Sequence, residues 1–369
     1  IKTTKTRLLK DDPGLTAYSL SDEKTFDITI GDRVLSEEIV SGGRVPVYSA
    51  NVYEEFGRID KENMKDYSRP SVIWGIDGDW MVNIIPAGVP FYPTDHCGVL
   101  RIKTEKILPE YMMYALQAEG EYERFSRNNR ASAQRIRSLV VQAPETKIQK
   151  NIIDELKALD DKINGQNAEI EKYENSIRTK FDQIFHLEEF ISDGVFSKYE
   201  GYSVEDLCID GRGRVINQQY IENHKGPYPV YSSQTTNDGI FGSIDTFDFD
   251  GEYITWTTDG AKAGTVFYRN GKFNCTNVCG TLKAKNDKVN MRYLAYLLNR
   301  IAYKFVSRVG NNKLMNDAMK KIVVPVPKRQ LQDEFADFVQ SVEKSKFECI
   351  GKKEKFEIEK DTFVHKYFR

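Results

Sequence analysis

The chain has 369 residues, 40% of them hydrophobic, 12% aromatic and 29% charged, with a net charge of −2. That composition suits two or three globular domains with real cores, and it excludes a disordered or bilayer-spanning chain, since no stretch approaches 18 consecutive apolar residues. A charge so close to neutral excludes a protein that coats nucleic acid over its whole surface, but leaves room for local basic patches. The sequence opens at Ile1 without a Met and without a basic-then-apolar leader, so a start upstream of Ile1 stays open. Five cysteines at irregular spacing form no disulfide framework and point to a reducing cytoplasm. Cys275 and Cys279 make a C-x3-C that reads as two half-buried thiols rather than a zinc site, because no second pair accompanies them.

In chain order, Val45-Pro46-Val47-Tyr48 leads into a polar loop with Ser49, Asn51 and Tyr53. Ser71-Val72-Ile73-Trp74 is a β-branched and aromatic run, and Asp77-Gly78 after it is a turn signal. Helical spacing covers Pro109 to Leu116. Next comes a basic segment with Arg124, Arg127, Arg130, Arg135 and Arg137, interleaved with Asn128, Asn129, Ser132 and Gln134. Arginine neutralises phosphates, and Asn, Gln and Arg also pair with base edges, so this segment is a candidate DNA contact as well as a possible solvated helix end. A strand over Ser138 to Gln142 closes the domain at Pro144.

A long helix follows. Ile148, Ile152, Leu156, Leu159, Ile163, Ile170, Tyr173, Ile177, Phe181 and Ile184 step by threes, fours and one seven, an apolar stripe of about five heptads. Gly165 is its one weak point. Asn167 stands where the seven-residue gap would take an apolar group, as a register-fixing buried Asn or as a solvated turn. From about residue 146 to 185 such a helix is roughly 55–60 Å long.

The sequence then repeats itself at an offset of 182 or 183 residues. Val45-Pro46-Val47-Tyr48 returns as Tyr228-Pro229-Val230-Tyr231, and Trp74, Asp77 and Gly78 as Trp256, Asp259 and Gly260. Thr94 to Leu100 returns as Thr276 to Leu282, Tyr111 and Tyr114 as Tyr293 and Tyr296, Asn128-Asn129-Arg130 as Asn311-Asn312-Lys313, and Pro144 and Gln149 as Pro327 and Gln332. Within the second copy, Thr265 to Tyr268, Asn270-Gly271 and Lys272 to Cys275 read as a hairpin, Met291 to Ile301 as a helix and Lys321 to Val326 as the closing strand.

The second polar loop offers Ser232, Ser233, Gln234, Thr235, Thr236 and Asn237, a different combination on the same scaffold. Lys262 lies beside small residues after Asp259-Gly260, placed to touch a phosphate. The second basic segment has Arg300, Lys304, Arg308, Lys313, Lys320, Lys321, Lys328 and Arg329, with Asn311, Asn312 and Asn316. Its recurrence at the same place as the first strengthens the DNA reading. The second stripe has Leu331, Phe335, Val339, Val342, Ile350, Phe356, Phe363, Val364 and Tyr367, interrupted by Lys346 and Lys353. Two helices of equal length with similar stripes are each other's obvious partner. An antiparallel pair with a domain at each end, a dumbbell with pseudo-twofold symmetry, satisfies the connectivity. Helix pairing or partner docking falls on Ile152, Leu156, Leu159, Ile163, Ile170, Phe335, Val339 and Val342.

The motifs of catalysis do not appear. There is no Asn/Asp-Pro-Pro-aromatic tetrapeptide and no complete G-x-G-x-x-G; Gly211-Arg212-Gly213 lacks the third glycine, and Gly271-Lys272 lacks the rest of a P-loop. His186, His224 and His365 have no evident Ser or Cys partner.

The duplicated layout resembles the specificity subunit of type I restriction–modification systems: a variable domain, a strand ending in Pro, a helix opening near a Gln, then the same again. Ile322-Val323-Val324-Pro325-Val326-Pro327 with Gln330 and Gln332 is similar to that family's hydrophobic–proline–glutamine junction, and Gly310-Asn311-Asn312-Lys313-Leu314 to its glycine-polar loop. Gln142-Ala143-Pro144-Glu145 is a weaker junction, so the first boundary is loose by a few residues.

The resemblance implies a mixed α/β fold with target-recognition domains at 1–143 and 191–327 and spacer helices at 144–190 and 328–369. Each domain would read one half of a split double-stranded DNA target, with the helices holding the halves about one helical turn, roughly 34–36 Å, apart. The helices would dock two methyltransferase subunits carrying S-adenosylmethionine, and a motor–nuclease subunit with ATP and Mg would join them; this chain itself would hold no cofactor or metal and catalyse nothing. The rivals are the specificity portion of a Type IIB or fused restriction–methylation enzyme, and a coiled-coil adaptor unrelated to DNA.

Overall fold

The computed structural model describes residues 14–185 and 199–368. His186 and the expected boundary between 190 and 191 lie outside the described residues. The chain divides into two compact units, one running to Asn167 and taking in the residues from Gly351 onward, the other Ala168–Ile350. The division between the units falls within each long helix.

The first unit contains β1 (Thr16–Ser19), β2 (Phe26–Ile30), β3 (Val45–Tyr48), β4 (Gly57–Ile59), β5 (Ser71–Gly75), β6 (Val82–Ile85), β7 (Tyr92–Pro93), β8 (Cys97–Ile102), α1 (Pro109–Tyr122), α2 (Ala133–Arg137), β9 (Val140–Ala143) and the start of α3 (Thr146–Phe185). Its sheets run β2-β8-β5-β6, β4-β3-β7 and β1-β9. The second unit holds the remainder of α3, then β10 (Gly201–Ser203), α4 (Val204–Leu207), β11 (Cys208–Arg212), α5 (Gln218–Asn223), β12 (Lys225–Tyr231), β13 (Ile240–Ile244), β14 (Phe249–Thr257), β15 (Val266–Cys275), β16 (Cys279–Ala284), α6 (Met291–Ile301), α7 (Asn316–Lys320), β17 (Val323–Pro325) and the start of α8 (Arg329–Phe368). Its sheets run β11-β16-β14-β15-β12-β13 and β10-β17.

The two units differ where proline differs. β15 is one strand of ten residues that pairs with β14 along its length and, at its end, with β12 in parallel. The hairpin expected within 265–275 is thus not formed: Asn270 and Gly271 pair with Glu252 and Gly251, and the true hairpin is β14–β15. In the first unit the corresponding stretch splits into β6 and β7, with Pro86 and Pro90 between them. Two residues without an N–H cannot continue a ladder.

The cores are built alike. Trp74 and Trp256 are fully buried and donate through Nε1 to the carbonyls of Ala131 (2.8 Å) and Leu314 (2.9 Å). Each indole lies against a glycine of the facing strand: a Cβ on Gly98 would come 2.1 Å from Trp74 Cζ2, and one on Gly280 2.2 Å from Trp256 Cζ2. Tyr111 and Tyr293 donate to the carbonyls of Gln142 and Pro325, each at 2.9 Å, tying α1 and α6 to the strands that close the units.

Gln149 and Gln332, both 0% exposed, hold the junctions between domain and helix. Gln149 Nε2 donates to the carbonyls of Lys106 (2.8 Å) and Pro144 (2.7 Å), and its Oε1 accepts from Leu108 N (2.8 Å). Gln332 repeats this with Lys288, Pro327 and Asn290. A glutamine is needed because the site asks for two donors and one acceptor at once. Gln332→Leu leaves one buried and two part-buried backbone groups without this partner, and the expected loss is about 2 kcal/mol or more; a denaturant midpoint for the second unit unchanged from wild type would refute it.

The long helices run antiparallel in each unit. In the first, Lys360 donates to Asp160 (2.5 Å) and Lys162 lies over the Phe356 ring; in the second, Lys180 meets Glu334 (2.7 Å) and Lys346 meets Glu174. Lys346, an interruption of the apolar stripe, is therefore a cross-helix ion pair. The stripe has a wider duty than pairing helix to helix. Ile152 and Leu156 are buried in the core of the first unit, with Phe368 of α8 against Tyr111. Phe181, Phe335, Val339 and Val342 are buried in the core of the second with Tyr293. Leu159 is buried, Ile163 and Ile170 are half-buried, and Asn167 is exposed, so it fixes no register from the interior.

Candidate nucleic-acid interface

The three polar segments expected from the sequence meet at one end of each unit. In the first, Thr94 N donates to Tyr48 O (2.9 Å), Ile76 N to His96 O (3.0 Å) and Ala131 N to Ile76 O (2.9 Å). In the second, Thr276 N donates to Tyr231 O (2.8 Å), Thr258 N to Val278 O (3.1 Å) and Leu314 N to Thr258 O (3.0 Å). These are the same three bonds at the repeat offset. They gather the loop after β3 or β12, the Asp-Gly turn, the turn before β8 or β16 and the basic loop into one surface. Gly78 (φ 94°) and Gly260 (φ 98°) supply the left-handed backbone that both Asp-Gly turns require.

In the first unit Arg124, Arg127, Asn128 and Arg130 are exposed, with Arg127 and Asn128 at the tip of a tight turn closed by Ser126 and Asn129. Asn129 and Arg135 brace that turn from behind. Asn129 Nδ2 donates to the carbonyls of Glu123 and Arg124 (both 2.9 Å), and its Oδ1 accepts from Arg135 Nη1 at 2.6 Å. Arg135 also lies 4.5 Å over the Phe125 ring and 3.6 Å from Glu123. Gln134 is exposed on α2. Ser49 accepts from Thr94 Oγ1 (3.1 Å), and Asn51 caps its own loop by accepting from Tyr53 N (3.0 Å).

In the second unit Lys262, Arg308 and Asn311 are exposed, and Val309 beside Gly310 is 92% exposed. Lys313 lies 3.9 Å from Asp259, the counterpart of Arg130 at 3.6 Å from Asp77. Asn312 is half-buried and its carbonyl accepts from Gly260 N (3.1 Å). Ser232 meets Thr276 Oγ1 (2.9 Å), Ser233 donates to Val278 O (2.8 Å), Gln234 donates to Ile240 O, and Thr235 is half-buried. Asn316 is turned inward, donating to Asp210 (2.9 Å) and Gly211 O (3.1 Å). Arg300 leaves this surface altogether: it pairs with Asp182 of α3 at 2.7 Å, and Arg329 pairs with Asp333.

Two residues of this surface escaped the sequence reading. Arg212 donates from Nε to Asn277 O (2.6 Å) and from Nη2 to Thr258 Oγ1 (3.2 Å); only its place at the end of β11 brings it here. His96 stands beside Asp77, and the signal was its replacement by Val278 in the other copy. Elsewhere, Cys275 and Cys279 lie with sulfurs 3.4 Å apart in an apolar cluster with Phe273, and burial raises the Cys275 thiol pKa. No group of three His, Cys, Asp or Glu side chains able to hold a metal occurs among the described residues. No helix among them is long and apolar enough to cross a membrane.

A family model described as the type I restriction modification DNA specificity domain matches residues 25–172 and again 197–360. The chain belongs to that family. Each match takes in one loop end and the helix that follows it, so the two specificity domains coincide with the repeat. Among curated relatives, the chain is 39% identical over 212 residues to the type I specificity subunit S.MpnORF365P of Mycoplasma pneumoniae, covering 57% of this chain and 77% of that one. It is 48% identical over 147 residues to the MpnII specificity subunit of the same organism, covering 40% of this chain and 44% of that one. The fold matches the crystal structure of a type I restriction–modification S subunit from M. genitalium at a TM-score of 0.62 and 18% identity, over 98% of each chain.

Proposed function

We infer that the chain reads double-stranded DNA through two separate loop ends and so recognises a target in two parts. The observation that carries this is the same three-bond framework built twice, presenting different side chains. His96, Arg127, Asn128 and Arg130 are exposed at one loop end; Lys262, Arg308, Asn311 and Lys313 are exposed at the other. One scaffold with two sets of polar groups reads two sequences, because base identity is carried by donor and acceptor patterns in the major groove. In this reading the chain supplies recognition and no chemistry. α3 and α8 dock two methyltransferase subunits bearing S-adenosylmethionine, and a motor–nuclease subunit brings ATP and Mg. The five unpaired cysteines favour a cytoplasmic setting.

The test is single-molecule sequencing of genomic DNA from a host expressing this chain with its neighbouring methyltransferase gene. A split motif of two short defined halves around an undefined spacer is expected, and exchanging residues 194–327 for those of another specificity chain should change one half alone. Absence of new methylation, with the methyltransferase active alongside another specificity chain, would overturn the reading.

A further inference from the structure

His96 sits at the loop end of the first unit, on the turn between β7 and β8. Its Nδ1 lies 2.9 and 3.0 Å from the two oxygens of Asp77. Asp77 is 16% exposed, and its Oδ2 lies 3.6 Å from Arg130 Nη2. An ionised carboxylate only accepts hydrogen bonds, so the proton of the ring stands on Nδ1 and the orientation of the imidazole is set. Nε2 has no hydrogen bond among the described residues; the carboxylate of Asp95 is 3.9 Å away, beyond bonding distance. The side chain is 47% exposed. A half-exposed ring, aimed by a half-buried carboxylate and with one nitrogen unused, is the geometry of a positioned contact.

The second unit keeps the frame and lacks the histidine. Asp259 and Lys313 replace Asp77 and Arg130 at 3.9 Å, while Val278 and Asn277 stand for His96 and Asp95. The charge around the two positions differs accordingly. The first loop end carries Asp77, Asp79 and Asp95 among its arginines; the second has Asp259 with Lys262, Lys313 and Arg212. Phosphate binding needs positive charge, and an imidazolium beside Asp77 and Asp95 adds it.

We propose that His96, oriented by Asp77, is a DNA contact of the first unit alone, donating from Nε2 in its protonated form to an acceptor oxygen or nitrogen of the duplex. It rests on the two-part DNA reading above. Binding through the first unit then weakens as the pH rises, and binding through the second does not.

The experiment uses the full chain in its methyltransferase complex, with a duplex carrying the motif found by sequencing and two further duplexes with one half scrambled. Affinities are measured at pH 6 and pH 8 at fixed salt for wild type, His96→Val and Asp77→Asn. Val278 shows that valine fits this turn, so His96→Val tests the contact and not the fold. His96→Val is expected to bind about tenfold more weakly at pH 6 and to lose the difference between the two pH values; on the duplex whose first-unit half is scrambled the loss vanishes for a base contact and persists for a phosphate contact. Asp77→Asn should fall between the two. Equal affinity and pH response in wild type and His96→Val would overturn the proposal, as would a loss that is the same at both pH values. A wild-type complex with no sequence preference at all would instead sink the two-part reading itself, and that outcome appears without any variant.

Discussion

Leu156→Asp is expected to unfold the first unit and leave the second folded. Leu156 is 0% exposed and belongs to the core that holds Trp74, Leu100, Tyr111 and Phe368. Removing a buried leucine costs about 2–5 kcal/mol by itself. An aspartate there adds the penalty of an uncompensated buried charge, several kcal/mol more, against a whole-domain stability of about 5–15 kcal/mol. The second core, built on Trp256, Phe181 and Phe335, shares no residue with the first. Hydrogen exchange should show protection lost in β5, β8 and α1 and kept in β14, β16 and α6. Val339→Asp, at the equivalent position in the repeat and 6% exposed, should give the mirror result. Loss of protection in both units from either variant would mean that the cores are one cooperative system. From the periodicity alone, Leu156 and Leu159 were residues for pairing helices or docking partners; the structure gives Leu156 to the domain, so a charge there reports on folding before it can report on assembly.

The difference has a physical root. A repeat is legible because it needs only order and offset, and the offset of 182 to 183 residues carried the duplication, the junction glutamines and the basic loops without any structure. An apolar stripe shows that a helix face is covered but not by what. Phe368 packing on Tyr111 joins residues 257 positions apart, and no local period encodes that. The same holds for polar groups. Asn129 and Arg135 have the residue types of base readers, yet their side chains are consumed in bracing the turn that presents Arg127 and Asn128. Asn270-Gly271 carries the strongest hairpin signal in the second half but lies mid-strand, because Gly251 faces it with an equally permissive backbone.

Arg308→Ala with Lys313→Ala is expected to make the plot of log affinity against log salt shallower by about 2, because each phosphate contact on duplex DNA contributes about 0.9 to the slope. At 0.1 M salt the same two contacts are worth roughly tenfold each in affinity, so the double variant should bind about a hundredfold more weakly, to specific and nonspecific duplex alike. Both side chains stand on the loop beside Gly310, whose φ of 74° lets the chain turn tightly there. Lys313 is 3.9 Å from Asp259 and 48% exposed, an ion pair loose enough for the lysine to exchange its carboxylate for a phosphate. Arg300→Ala is the control within the same basic run: its guanidinium is 2.7 Å from Asp182 and lies over the Phe181 ring. That variant should lower the stability of the second unit and leave the salt slope where it was. If Arg300→Ala flattened the slope while the loop variant did not, the surface that meets DNA would lie along the helices, and the loop ends would lose their claim to it.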